Sequence, residues 1–97
     1  MAYYVVLDVA IHDLPTYQQY MARVKPMIEA VGGRYLVRGG EHRVLEGDWA
    51  PTRLVLLEFP SSAVVEALFS SPDYLAIKSL RMAASRCDLV GVEGVAG

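Results

Sequence analysis

The chain predicts an α+β fold: a four-stranded antiparallel sheet with its helices on one face, dimerising through the other. Three observations carry this. Apolar periods run strand, helix, strands, helices, strand along 97 residues. The middle strands are joined too closely for a crossover helix, so they must run antiparallel. The first strand and the strand after the central loop are apolar on both faces, and 54% of all residues are hydrophobic, although a chain of this size buries only about two-thirds of its unfolded surface.

Taken in order, Tyr3 to Ile11 is mostly apolar at both parities, with Asp8 its one charge, and reads as a strand buried on both sides. Asp13 is an N-cap candidate and Pro15 suits a first helical turn. Tyr17, Tyr20, Met21, Val24, Ile28 and Val31 then recur at helical spacing, so a helix is expected from Leu14 to Val31, kinked or restarted near Lys25 by Pro26 and stopped at Gly32. Arg34 to Arg38 is a short strand. Gly39-Gly40 is a two-residue turn composition, so His42 to Glu46 is expected to return as a hairpin partner with Arg38 opposite Glu41.

Gly47 to Thr52 is a loop, Arg53 to Phe59 an apolar strand with Glu58 its one interior charge, and Ser61 or Ser62 caps a helix facing inward through Val64, Val65, Leu68 and Phe69. Ser71-Pro72 starts a further helix to about Ser85; Asp88 to Glu93 is the last strand, and the tail after it is expected to fray. The arithmetic β-α-β-(β)-β-α-α-β is satisfied by a ferredoxin-like sandwich in spatial order 4-1-3-2. Strands one and three apolar on both faces would leave too large a bare surface, which points to a homodimer whose sheets pack face to face into an α/β barrel.

Composition narrows the function classes. The length fits a single domain over residues 1–97, and the apolar runs stop far short of the roughly 20 residues of a membrane span. With Asp8 inside its first apolar run, the N-terminus reads as a strand and not a leader, so a cytoplasmic protein with no membrane partner is expected. Net charge is −2 with acids and bases interleaved, which leaves no footprint for nucleic acid. The single cysteine, Cys87, has no partner at metal-ligand spacing and reads as a partly buried thiol; neither a metal nor a cofactor is expected.

Asp8 and Glu58 each stand alone among apolar residues on neighbouring strands. A carboxylate there needs a partner or a wet pocket. Either each pairs with a nearby arginine or points to a solvated sheet end, or both line a cavity with Arg38 or Arg53 as counter-charges, where one could act as a catalytic base. Seven arginines against two lysines fit either genomic bias or anion binding, the latter best at Arg38 and Arg53 beside a turn and a strand start. Trp49 is a lid over a pocket or an aromatic cap on the core edge. Tyr74 and Arg81 share a helix face and reach a ligand together or tie helix to sheet. His12 and His42 build no triad, and Gly39-Gly40 lacks the spacing and lysine of a phosphate loop.

The runs GGRYLVRGGEHRVLEGDW, RLVLLEFPS, SPDY, the arginine at Arg81 and the closing LVGVEG together resemble the bacterial family of unknown function DUF1330, in order and over nearly the whole chain. The resemblance implies dimeric α/β-barrel subunits, a superfamily that spans cofactor-free monooxygenases, isomerases, haem enzymes and simple binding modules. Positions matching the family pattern include Tyr35, Arg38, Gly39, Trp49, Glu58, Tyr74 and Arg81. His12 and His42 fall outside it, and Leu68-Phe69 stands where relatives more often carry tryptophan or tyrosine. Three functions follow as expectations: a module binding a small anionic or aromatic metabolite between sheet and helices; a cofactor-independent monooxygenase or isomerase using Glu58 or Asp8 as base; or a structural dimer without a ligand.

Overall fold

The structure, a computed structural model, describes residues 1–95. Its elements are β1 (Tyr3–Ile11), α1 (Leu14–Ala30), β2 (Arg34–Arg38), β3 (Leu54–Phe59), α2 (Ser62–Ser70), α3 (Pro72–Ala84) and β4 (Ser85–Glu93). All strand pairs are antiparallel in the order β2-β3-β1-β4, the expected ferredoxin-like arrangement.

The helix boundaries follow from their caps. Asp13 accepts the backbone N–H of Thr16 at 3.3 Å and so satisfies one of the first-turn donors that α1 cannot pair internally. At the other end Gly32 takes φ +83°, and the Gly33 and Gly32 N–H groups reach back to Ile28 and Glu29 at 2.9 and 3.1 Å. These are the two bonds of a Schellman close, which needs a left-handed residue there. α1 is continuous from Leu14 to Ala30 with Pro26 inside it, so the expected restart near Lys25 does not occur. Ser71 serves two helices: its hydroxyl donates to Leu68 O at 2.7 Å, ending α2, and accepts from Tyr74 N at 3.2 Å, starting α3.

The expected hairpin after Gly39-Gly40 is absent. Residues 41–50 form no strand. Gly39 takes φ +71°, but its N–H donates to Leu54 O at 2.8 Å, so β2 pairs with β3 directly and the intervening residues loop out. Arg38 stands opposite Val55 and not Glu41. A Gly-Gly pair permits a tight turn, yet the apolar β3 outcompetes the polar His42–Glu46 segment as a partner for β2. β4 also begins at Ser85, three residues earlier than its apolar pattern suggests. Gly94 N still reaches Ala2 O at 2.8 Å; the rest of the expected fraying concerns Ala96 and Gly97, which lie outside the described residues.

Alternation splits the sheet into two environments. Val5, Leu7 and Val9 of β1 and Val55, Leu57 and Phe59 of β3 are buried against the helices, together with Tyr17, Tyr20, Val24 and Ile28 of α1 and Tyr74 and Ile77 of α3. The opposite face carries Tyr4, Val6, Leu54 and Leu56, all partly exposed, beside exposed Val37, Val90 and Val92. No helix is long and apolar enough to cross a membrane among the described residues.

Candidate functional site

The site begins with an irregularity in β2. Arg34 and Tyr35 stand opposite Glu58 and Leu57, Val37 and Arg38 opposite Leu56 and Val55, and Leu36 is the extra residue of a bulge. Tyr35 and Arg38 are three apart and would face opposite ways on a regular strand. The bulge turns both toward the helices, and the Arg38 guanidinium lies 4.7 Å from the centre of the Tyr35 ring, within cation–π range. Arg53 joins them across Gly39, where a Cβ would come within 2.5 Å of its Nε. Glycine is therefore required at 39 twice over, by its left-handed backbone and by the room Arg53 occupies.

Beneath these residues lies a small cavity of about 30 Å³, lined by Tyr17, Tyr20, Met21 and Ile28 of α1, Leu7, Tyr35 and Leu57 of the sheet, Phe69, Leu89, and both Arg38 and Arg53. That is room for a water molecule or two. Outside it Met21, Arg38 and Arg53 also line an open groove of about 440 Å³ with Leu14, Gln18, Ala22 and Lys25, a volume ordinary for a small-ligand site. Three cations and no carboxylate face this groove. Among the described residues the one salt bridge is Arg34–Glu58, so Arg38 and Arg53 have no ion-pair partner.

Apart from Arg38 and Arg53 the cavity wall is uncharged. Burial raises the phenol pKa values of Tyr17 and Tyr35, and raises that of Tyr20 furthest, reinforced by Tyr74, whose hydroxyl is 2.9 Å from that of Tyr20. The rings of Tyr17, Tyr20, Tyr74, Phe69 and Phe59 follow one another at centroid separations of 4.8–6.5 Å, mostly edge to face, the arrangement aromatic quadrupoles favour.

Asp8 and Glu58 lie elsewhere. Even-numbered positions of β1 and β3 face away from the helices, so neither carboxylate meets the cavity, and neither takes Arg38 or the Arg53 guanidinium as counter-charge. Glu58 instead accepts from Arg34 Nε at 2.8 Å and from the Tyr4 hydroxyl at 3.1 Å, which holds its pKa below the usual range and raises that of Tyr4. Asp8 accepts from Thr52 N at 2.8 Å, Trp49 Nε1 at 3.1 Å and Arg53 N at 3.4 Å. These bonds, the Thr52 amide foremost, depress its pKa too. Trp49 is 60% exposed; it lines neither the cavity nor the core, and borders instead a separate open groove of about 340 Å³ with His42, Leu45 and Leu54.

Tyr74 is fully buried and Arg81 is 8% exposed; neither lines the groove. His42 is exposed and bonds Pro51 O at 2.9 Å. Sequence reasoning missed Lys25, Tyr17, Tyr20 and Arg34 as contributors. The signal for the first three was present: two tyrosines on the inward stripe of α1 place hydroxyls in an apolar layer, and Lys25 follows Gln18 and Ala22 along one helix face. Among the described residues no cluster of His, Cys, Asp or Glu could hold a metal ion.

The family model "Domain of unknown function (DUF1330)" matches residues 2–95. The chain belongs to this family. Among solved structures this DUF1330 protein is similar to a protein of unknown function from Rhodopseudomonas palustris, at TM-score 0.81 and 19% identity over 99% of this chain and 84% of that one. A dimeric ferredoxin-like protein of unknown function from Jannaschia sp. follows, at 0.71 and 15%, over 97% and 100%. SnoaB, a cofactor-independent oxygenase from Streptomyces nogalater, matches at 0.65 and 11%, over 99% and 95%. At these identities the likeness establishes the fold. No curated protein matches the DUF1330 chain in sequence.

Proposed function

We propose that this DUF1330 protein binds a small aromatic carboxylate, its anionic group held by Arg38 and Arg53 and its apolar body set against Met21 and the tyrosine-lined cavity mouth. The observation that carries this is that two arginines without ion-pair partners line both the open groove and the cavity beneath it. Guanidinium forks suit a carboxylate, and Lys25 adds a third charge without a competing acid. A reaction based on Glu58 or Asp8 gains no support from this arrangement. Both carboxylates face away from the cavity, and depressed pKa values make them weaker bases.

The same reading includes a homodimer through the open sheet face, on which Val6, Leu56, Val90 and Val92 form an apolar strip of a kind monomers seldom leave bare. The dimeric description of the Jannaschia protein supports it. Calorimetric titration with benzoate and with its neutral analogue benzamide tests the ligand reading. Benzoate is expected to bind, and Arg53→Met to weaken it about tenfold or more. Equal affinity for benzamide, or an unchanged Arg53→Met variant, would sink it.

A further inference from the structure

The corner between α3 and β4 holds a buried cation with no counter-charge. Arg81 is in the last turn of α3 and 8% exposed. Its Nε is shut off from solvent without a hydrogen-bond partner, and no acid pairs with it among the described residues. Its neighbours, the hydroxyls of Tyr74 and Tyr20 and the Cys87 thiol, are neutral: burial raises the pKa of both Tyr20 and Cys87. The negative end of the α3 dipole offers at most about half an elementary charge, and Arg81 O already accepts from Ser85 Oγ at 2.7 Å. A guanidinium so placed is costly until an anion meets it.

Arg81 lines an indentation of about 380 Å³ together with Lys78, Ser85, Arg86, Cys87 and Leu89. Three cations face it and no carboxylate does. Lys78, Arg81 and Ser85 follow at steps of three and four residues and so share one side of α3 and its end. Arg86 comes from β4, an edge strand. Leu89 lines both this indentation and the tyrosine-walled cavity, and neither Arg38 nor Arg53 reaches the corner.

We propose that this corner is a second oxyanion site, independent of the Arg38–Arg53 groove, which takes the carboxylate or phosphate group of a small ligand beside the Arg81 guanidinium with Lys78 and Arg86 as flanking charges. Arginine Nε–H resonances of the full chain, followed by NMR during separate titrations with inorganic phosphate and acetate, test it and distinguish the two chemistries. A saturable shift of the Arg81 Nε–H is expected with one of them. The double variant Lys78→Ala/Arg86→Ala, which spares the buried residue, should weaken that binding about tenfold, and Arg53→Met should leave it unchanged. An Arg81 Nε–H that neither anion moves, or that moves only with protein concentration because a second copy supplies the counter-charge, overturns the proposal, as does full affinity in the double variant.

Discussion

Trp49 Nε1 donates to the Asp8 carboxylate at 3.1 Å, which fastens the long loop between β2 and β3 to the central strand β1. Thr52 N makes the shorter bond, at 2.8 Å, to the other carboxylate oxygen. Asp8→Ala removes both acceptors at once, while the loop keeps few apolar contacts of its own, with Leu45 85% exposed. The expected outcome is faster protease cleavage between His42 and Trp49 with little change in global unfolding. Cleavage at the parent rate would show that the clasp does not hold the loop.

Three carboxylates are held below their usual range by hydrogen bonds: Asp8 by Thr52, Asp13 by Thr16 and Glu58 by Arg34. A depressed folded-state pKa contributes stability that is complete above the unfolded value, roughly 4, and is lost as pH falls through the folded value. Urea midpoints should therefore stay level near neutrality and drop below about pH 4. Glu58→Gln should flatten that drop, and an identical acid slope in the variant counts against the Arg34–Glu58 pair. Tyr4 runs the opposite way, its raised pKa favouring the folded state until pH climbs past the ordinary phenol value of about 10.

Gly39→Ala strains a left-handed residue by about 1–2 kcal/mol and drives a methyl group into the Arg53 guanidinium. Benzoate affinity should fall further than stability does, because the displaced side chain belongs to the groove. Calorimetry beside thermal melting checks this; a loss of stability with affinity retained would remove Gly39 from the site.

Tyr20 and Tyr74 share a buried hydroxyl pair at 2.9 Å. Tyr20→Phe leaves its partner less satisfied, at a cost of about 1–3 kcal/mol. The double variant with Tyr74→Phe should cost less than the two single changes added together. Strict additivity in denaturant unfolding would mean the hydroxyls are not coupled.

On the open face, Val90 stands opposite Val6 and is 62% exposed. Val90→Asp should leave the monomer fold intact, since the side chain is mostly exposed, while converting the proposed dimer to a monomer in light scattering. A parent protein already monomeric at micromolar concentration would remove the dimer from the proposal.

Much of this fold is legible in the chain because its signals are local. Asp13, Ser61 and Ser71 act within three residues of themselves, and the parity of β1 and β3 declares two sheet faces. What escapes is long-range. The partners of Asp8 lie more than forty residues away, and nothing near Asp8 identifies Trp49 and Thr52 as its donors. Gly39-Gly40 has the composition of a hairpin turn, and only the presence of a better apolar strand further on decides against it. The approach of Arg38 to Arg53 depends on a bulge, which strict alternation through Arg34–Arg38 does not anticipate.

The bulge at Leu36 has a consequence for how chain length can vary. Leu36 is the residue the ladder skips, since Tyr35 and Val37 stand opposite consecutive residues Leu57 and Leu56. Deleting it restores a regular strand with Tyr35 and Arg38 still turned to the helices and Arg34 and Val37 still turned away. A one-residue deletion inside β3 has the opposite result, because it inverts every facing beyond it. Within the sheet, Leu36 is thus a place where homologous chains can differ in length by one without moving a charge from the groove to the other side.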